Sequence, residues 1–262
     1  MENVVFSLGT DEIAMSFILL GREDVAKRHI ANVLGKIEVS EVKGRLLAAF
    51  DSLMAKGLAG WSEEKQKAVL DSRLESLVET IASPNVSVVA TVIKAEGSEV
   101  MAFHFGERAS TEVRSMGLVG QELRPLDGPE AASASIEELI GWPESLDGKR
   151  YTVSLTPEQF GNATKLSVQD QGALEGYLAD IGLEAESLKA FSSDLIDTES
   201  RGTVARLDYE GDVGRLDRGF LTLKSAERCW ILTPTDSGDN PLVEGGVATR
   251  EELRSKLAEL MG

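Results

Sequence analysis

Ser83-Pro84-Asn85-Val86-Ser87-Val88-Val89-Ala90-Thr91-Val92-Ile93 (residues 83–93) is the stretch at which the hydrophobic pattern of this chain changes its period. The serine, proline and asparagine at its start favour a turn. The residues after the turn are mostly β-branched, which is typical of a buried strand. Because helical patterns precede this stretch and strand patterns follow it, the sequence predicts an α+β fold.

The residues before this turn predict a helical bundle over 10–82. Apolar side chains recur there at spacings of three and four residues, as on one face of a helix. A fourth helix is predicted to open at Ser62, directly after Trp61. The first three helices are expected to end at glycines, namely Gly21, Gly35 and Gly57.

The residues after the turn predict strands over 86–116 and a short helix over 135–140. Glu96-Gly97-Ser98 has the composition of a hairpin turn between the first two strands. Ser135 and Glu138 fit a capping box, in which each side chain accepts a hydrogen bond from the other residue's backbone N–H. This pair predicts where the short helix begins.

The second part of the chain repeats this order of elements. Thr156, Pro157 and Gln159 give an N-cap, a first-turn proline and the partner of a capping box, so a helix should begin there. Further helices and strands are predicted at 168–181, 184–195, 203–209, 219–224 and 229–234. A last helix is expected from Thr249, with Glu252 completing its capping box.

The repeated order predicts two similar α+β halves, residues 1–140 and residues 151–262, joined by residues 141–150. If the strands of the two halves pair edge to edge, each half loses one exposed sheet edge. The expected fold is therefore one compact unit with a central antiparallel sheet and helices packed at its flanks.

Composition restricts the classes of partner. The chain has 262 residues, with 44 acidic and 27 basic side chains and a formal net charge of -17. A surface of that sign repels phosphate backbones and anionic lipids, so neither nucleic acid nor a membrane is expected as a partner. The first residues lack a signal-peptide pattern, and no apolar stretch approaches the length of about eighteen residues that a membrane span needs. A cytoplasmic location is expected.

The sequence offers few residues for catalysis, cofactors or metals. His29 and His104 are the only histidines, and neither has a partner at metal-ligand spacing. Cys229 is the single cysteine and lies in an apolar run, which is typical of a buried thiol. No glycine or carboxylate cluster fits a phosphate loop or a calcium loop. The sequence thus predicts no catalytic, cofactor-binding or metal-binding residues and a function in binding another protein, and it leaves the oligomeric state open.

Three junctions carry a resemblance to a known family. Residues 81–90 lead from helices through an Ala-x-Pro turn into a valine-rich strand. Residues 228–234 form a tryptophan-containing apolar strand that ends in proline, and residues 247–253 lead into the final helix. In their order and local pattern these segments resemble the EspG-like chaperones of mycobacterial type VII (ESX) secretion.

The resemblance implies a central sheet with two flanking helical bundles and a pseudo-two-fold axis. It also implies a non-catalytic cytosolic chaperone that shields the hydrophobic helical tip of a secreted partner, and such a chaperone should expose an apolar patch of roughly a few hundred Å² or more. In the family, the loop between the second and third strands takes part in binding. The corresponding loop here is short, and the resemblance implies as partner-binding residues Glu107, Arg108, Ala109 and Ser110.

Two other functions fit parts of the sequence. Three helices followed by residues 55–58 are similar to a winged-helix unit, which would make the chain a transcriptional regulator with a C-terminal α+β sensor domain. Its third helix offers Lys43, Arg45 and Lys56 for phosphate contacts, but a helix and not a wing of strands is expected after Trp61. The other alternative is an enzyme or small-ligand binder that uses carboxylates alone, and it would need a deep pocket.

Overall fold

The computed structural model describes residues 4–35, 38–117, 120–143, 149–211, 213–235 and 241–262. The elements up to residue 140 are β1 (Phe6–Leu8), α1 (Thr10–Leu19), α2 (Glu23–Leu34), α3 (Val39–Ala55), β2 (Ala59–Ser62), β3 (Lys67–Leu70), α4 (Ser72–Ala82), β4 (Val86–Lys94), β5 (Gly97–Phe105), β6 (Ser110–Ser115), β7 (Gln121–Pro125) and α5 (Pro129–Ile140). The later elements are β8 (Thr152–Leu155), α6 (Pro157–Ser167), α7 (Gln171–Asp180), α8 (Ala185–Ile196), β9 (Thr198–Glu210), β10 (Val213–Ser225), β11 (Cys229–Thr235), β12 (Leu242–Val247) and α9 (Arg250–Met261).

Ten of these strands form a single sheet, which confirms the predicted α+β fold with a large antiparallel sheet. The strand order is β1-β7-β6-β5-β4-β9-β10-β11-β12-β8. Read outward from β4, the order is β4, β5, β6, β7, β1, and read outward from β9 it is β9, β10, β11, β12, β8. Apart from the hairpin β2–β3 between α3 and α4, the order of one strand, helices, four strands and a closing helix therefore occurs twice along the chain.

The residues pack into two compact units, and each unit is assembled from three segments of the chain. The first unit comprises Met1–Ser87, Met101–Gly128 and Asp208–Arg215. The second comprises Val88–Val100, Pro129–Leu207 and Leu216–Gly262. The sequence-based division into halves linked by residues 141–150 stays a prediction, and residues 144–148 of that link lie outside the described residues.

The core of the first unit lies between α1, α3, α4 and the strands β1, β6 and β7. Its most deeply buried side chains include Ile13, Leu53, Leu74, Val78 and Leu123. Helix α4 begins at an N-cap, where the Asp71 carboxylate accepts a hydrogen bond from the backbone N–H of Arg73 at 3.1 Å. Each fully buried leucine or isoleucine of this size stabilises the fold by about 1.5–3 kcal/mol.

The core of the second unit lies between α6, α7, α8 and the strands β8, β10, β11 and β12. Phe191 of α8 and Trp230 of β11 meet edge to face, with ring centroids 5.0 Å apart. Helix α6 begins at the predicted capping box, where the backbone N–H of Gln159 donates to Thr156 Oγ1 at 3.1 Å. The capping box of Thr249 and Glu252 at α9 is confirmed as well.

The predicted helix opening at Ser62 is wrong, because a β-hairpin occupies this position. Trp61 of β2 pairs with Ala68 of β3, and α4 begins only at Ser72. Leu70 lies four residues before Leu74, so it continues the apolar spacing of α4 and is buried on the same bundle, although it belongs to a strand. Spacing alone therefore could not separate the hairpin from the helix.

Other boundaries also differ from the predictions. Helix α5 begins at Pro129 and not at Ser135, which lies inside it, since proline is favoured in the first turn. Strands β1, β7 and β12 were not predicted. Strand β7 buries one leucine among polar residues, and β12 contains Gly245 and Gly246, which weaken a strand pattern. At Gly245 a Cβ atom would overlap the carbonyl oxygen of Ile231, so the close pairing with β11 requires glycine.

Candidate partner-binding surface

The loop Glu107–Ser110, singled out in the sequence, connects β5 and β6 in the first unit. A hydrogen bond from the backbone N–H of Gly106 to the Ala109 carbonyl, 3.0 Å long, closes the loop. Glu107 and Arg108 are exposed, whereas Ala109 and Ser110 are half-buried. The loop is thus held in shape by its backbone and presents two charged side chains of opposite sign.

This loop forms a wall of two cavities. The larger, here called the loop cavity, has a volume of about 740 Å³ and lies between the loop, α4, β1 and the residues that follow β7. Its apolar lining comes from Phe6, Leu77, Pro125 and Leu126, and its polar lining includes Arg73 and Asp127. The second cavity has a volume of about 650 Å³ and runs along α4 on the other side of the loop. The structure thus places the predicted loop at open, concave surface.

The charges around these cavities are partly paired. Arg22 and Glu79 form a salt bridge of 2.7 Å beside the second cavity. Arg73 pairs with Asp71 at 3.1 Å and holds the pKa of that carboxyl below its usual range. Within the described ranges, neither Glu107 nor Arg108 has an ion-pair partner, so both side chains are available to charges on another molecule.

The groups considered for catalysis are held in structural positions. Burial raises the pKa of the Cys229 thiol to about 12, so the thiol does not ionise near neutral pH. His29 packs edge to face on Phe17 with ring centroids 5.9 Å apart, and burial lowers its pKa. In the part of the chain that the structure describes, no three histidine, cysteine or carboxylate side chains form a group that could hold a metal ion.

His104 and Ser87 form a close hydroxyl–imidazole pair that bears on hydrolytic chemistry. Ser87 Oγ lies 2.8 Å from His104 Nδ1, within hydrogen-bond distance. Ser87 is fully buried, and burial lowers the pKa of His104 to about 4. Neither residue lines the loop cavity or the second cavity. The pair therefore satisfies polar groups inside the first unit and offers no accessible nucleophile.

The cations of α3 that a winged-helix reading requires are mostly paired with acids. Arg45 contacts the Asp11 carboxylate at 3.1 Å, and Lys56 contacts Glu12 at 2.7 Å. The hairpin β2–β3, which the sequence did not predict, follows α3 at the place where a winged-helix unit has its wing. The exposed side chains of α3, however, include Val39, Leu47 and Met54 beside Lys43, so an apolar face lies where a DNA-reading helix carries mostly cations.

That apolar face borders a groove that the sequence reasoning missed. The groove, here called the α1–α3 groove, has a volume of about 440 Å³. It is lined by Met15, Ile18, Leu19, Val39, Val42, Lys43, Leu46, Leu47, Phe50 and Ala68. The sequence shows one apolar stripe along α3, and the stripe does not reveal that Leu53 is buried while Leu47 is 58% exposed.

Among the helices of the described residues, none is long and apolar enough to cross a membrane. No protein-family model matches the chain. No curated protein matches it at a significant level.

Several solved structures do match. One of them is the Mycobacterium tuberculosis type VII secretion system chaperone EspG5, solved in complex with a PE25–PPE41 dimer. The match has a TM-score of 0.67 and covers 98% of this chain and 95% of that chain, at 13% sequence identity. With so few identical residues, the match establishes a similar fold and nothing more. This chain has the fold of a type VII secretion chaperone over almost its whole length.

Proposed function

We propose that this chain is a non-catalytic chaperone that binds the helical tip of a secreted protein of a type VII secretion system. The fold likeness to EspG5, which was solved in complex with a PE25–PPE41 dimer, supports this proposal. A chaperone that shields a substrate before export acts in the cytoplasm. In this role the chain needs no cofactor, nucleic acid or membrane.

The observation that carries the proposal is the loop cavity. Its volume of about 740 Å³ and its lining of apolar and charged residues can receive a short protruding element of another protein, such as a helix tip. Phe6, Leu77 and Leu126 offer apolar surface, while Glu107 and Arg108 stand at the wall with no ion-pair partner among the described residues. An apolar helix tip flanked by charged side chains would satisfy both parts of this lining.

A duplication of the two halves about a pseudo-two-fold axis is part of the proposal. The identical order of the strands, read outward from β4 and from β9, supports it. Under a duplication, the β5–β6 loop of the first half corresponds to the connection of β10 and β11 in the second. Only the first of these loops lines the loop cavity. The proposed binding site therefore belongs to one half.

The test is binding of the purified chain to a PE–PPE heterodimer, with PE25–PPE41 as the first probe and other helical type VII substrates after it. Arg108→Glu and Leu126→Glu should each weaken binding about tenfold or more, since one reverses a wall charge and the other places a charge on the apolar lining. Lys189→Glu is the matched control, because Lys189 is exposed on α8 in the second unit. Failure of every such substrate to bind would reject the proposal, as would equal effects of Arg108→Glu and Lys189→Glu.

The winged-helix alternative is now supported by the β2–β3 hairpin but opposed by the charge. Arg45 and Lys56 are paired with acids, and the chain carries a formal net charge of -17. Cations already paired with carboxylates gain little from phosphates, because DNA affinity comes largely from protein cations that neutralise phosphates and so release the counterions condensed on the DNA. The chaperone proposal is therefore preferred.

A further inference from the structure

The α1–α3 groove leaves apolar surface of the first unit uncovered. Val39 is 84% exposed and Leu47 is 58% exposed, and both lie on the face of α3 that lines the groove. Among the described residues that line the groove, Lys43 is the one charged side chain. Removing apolar surface from water is favourable, so this groove favours an occupant with an apolar helical face.

We propose that the occupant is a second copy of this chain, whose α3 packs antiparallel to the first α3 about Leu47 in a symmetric dimer. A two-fold interface requires a surface that is complementary to itself. Helix α3 meets this requirement in its sequence, in its charges and in the open space beside it.

The charges of α3 are self-complementary about Leu47. Lys43 and Asp51 lie four residues before and after it. With a rise of about 1.5 Å per residue, antiparallel helices centred at Leu47 bring Lys43 of one copy level with Asp51 of the other, and the symmetry repeats the pair. Both side chains are exposed, and neither has an ion-pair partner within the residues that the structure describes.

The shapes along α3 are complementary as well. Phe50 and Gly44 lie three residues after and before Leu47, so the same arrangement sets the Phe50 ring of one copy level with Gly44 of the other. A Cβ atom built at Gly44 would meet no atom within 4 Å, which leaves open space above this position. A large side chain opposite a glycine is the arrangement that lets two helices pack closely.

The hairpin supplies a rim for this interface. Trp61 is 63% exposed and pairs with Ala68, which lines the groove. Directly paired residues of antiparallel strands project from the same face, so the Trp61 ring stands on the groove side of the hairpin. Large aromatic side chains at such positions are enriched in protein interfaces.

The proposed dimer does not rest on the chaperone function. The α1–α3 groove and the loop cavity share no lining residue, so substitutions can change one surface without touching the other. Variants of the two surfaces should therefore separate the two activities: Arg108→Glu should leave self-association unchanged.

The experiment is sedimentation velocity of the full chain from about 1 to 200 µM, a range that brackets micromolar dissociation constants. The unmodified chain should form a dimer. Lys43→Glu and Asp51→Lys should each raise the dissociation constant about tenfold or more, because each sets like charges against each other twice. The double variant Lys43→Glu/Asp51→Lys should have a dissociation constant within about threefold of that of the unmodified chain, since the swap recreates both ion pairs.

Leu47→Glu gives a second, independent measurement. It should abolish the dimer and leave the far-ultraviolet circular dichroism unchanged, because the side chain is largely exposed in one copy. Val168→Glu is its matched control, since Val168 is 78% exposed on the second unit. If Leu47→Glu does not fold, the variants Lys43→Glu, Asp51→Lys and Lys43→Glu/Asp51→Lys test the dimer without it. A chain that stays monomeric to about 200 µM overturns the proposal, as does a dimer that the charge swap does not restore or that Leu47→Glu leaves intact.

Discussion

The carboxylate of Asp194 accepts a hydrogen bond from the indole N–H of Trp230 at 2.7 Å, and both side chains are buried in the second unit. The same carboxylate accepts from Ser225 Oγ and from Arg228 Nε, each at 2.6 Å. A buried charge is tolerated when it is paired and fully hydrogen-bonded, and these three donors meet that condition. Asp194 thereby attaches α8 to β11 by polar contacts within an otherwise apolar core.

Replacement of Asp194 by alanine should therefore destabilise the chain strongly. The substitution leaves the buried Trp230 N–H without its acceptor and removes from the partly buried Arg228 its closest acceptor, and loss of one partner of such a pair costs about 3–5 kcal/mol. Urea unfolding followed by tryptophan fluorescence measures the loss. Asp197→Ala is the matched control, because Asp197 is exposed at the end of α8 and its loss should cost less than about 0.5 kcal/mol. Equal losses in the two variants would contradict this account of Asp194.

Glu137 holds α5 and α9 together. It is buried to 7% exposure and bonds with Arg250 and with Arg254, whose Nε lies 2.7 Å from Glu137 Oε2. The hydrogen bond from Arg254 is the largest influence on the pKa of Glu137, which lies below its usual range. Glu137→Gln should lower the free energy of unfolding by about 1 kcal/mol, since both arginines are partly solvated.

The control for Glu137 is its neighbour. Glu138→Gln removes the same charge from an exposed position of the same helix, so it should change stability by less than about 0.5 kcal/mol. Thermal unfolding of the two variants side by side gives the comparison. A loss that is the same for Glu138→Gln would assign the effect to net charge and not to the Glu137 contacts.

The features of the fold that the sequence predicted are those with local causes. The capping box at Thr156 and Gln159 depends on residues three positions apart, and the structure contains both of its hydrogen bonds, of 2.8 and 3.1 Å. Strand β12 depends instead on pairing with β11, where Gly245 allows close approach, and nothing in its own six residues indicates a partner. The hairpin at Trp61 was missed for the same reason, because its pairing overrides the helical spacing of its apolar residues.

The candidate surfaces also combine features that the local sequence predicts with features that depend on distant parts of the chain. The sequence and the family resemblance led to the loop at Glu107, but its place beside Phe6 and Leu126 depends on strands β1 and β7, which the sequence did not predict. For α3, the stripe of apolar residues was visible, while the depth of burial of each was not. Exposure depends on what packs against a helix, and that partner lies elsewhere in the chain.

His104 should make stability depend on pH between about 4 and 6.5. Its pKa in the folded chain is about 4 because of burial, against an ordinary value of 6.5. Between these values the unfolded chain binds a proton that the folded chain does not, so this contribution to stability is complete above about pH 6.5 and is lost as the pH falls toward 4. The loss amounts to about 2 kcal/mol after a discount for partial exposure.

The variant His104→Gln measures that contribution. Urea unfolding at a series of pH values from about 4 to 7.5 gives the free energy of unfolding as a function of pH. This free energy should change less with pH in the variant than in the unmodified chain, because the carboxylates contribute equally to both. The glutamine can keep a hydrogen bond to Ser87, so the comparison at pH 7.5 shows how much the substitution costs by itself. Two curves with the same slope would mean that His104 titrates alike in the folded and the unfolded chain.

Cys229 should resist alkylation as long as the second unit stays folded. Its side chain has no exposed surface, and burial raises its pKa to about 12, so both access and ionisation oppose attack by iodoacetamide at pH 8. The native chain should show no mass increase over hours, whereas the chain in about 8 M urea should be labelled within minutes. Labelling of the native chain at the rate of an exposed thiol would contradict the buried position of β11.

The variant Asp194→Ala tests what protects the thiol. If Cys229 is labelled faster in folded Asp194→Ala than in the unmodified chain, its protection depends on the Asp194–Trp230 contact, because opening of β11 is then the step that exposes Cys229.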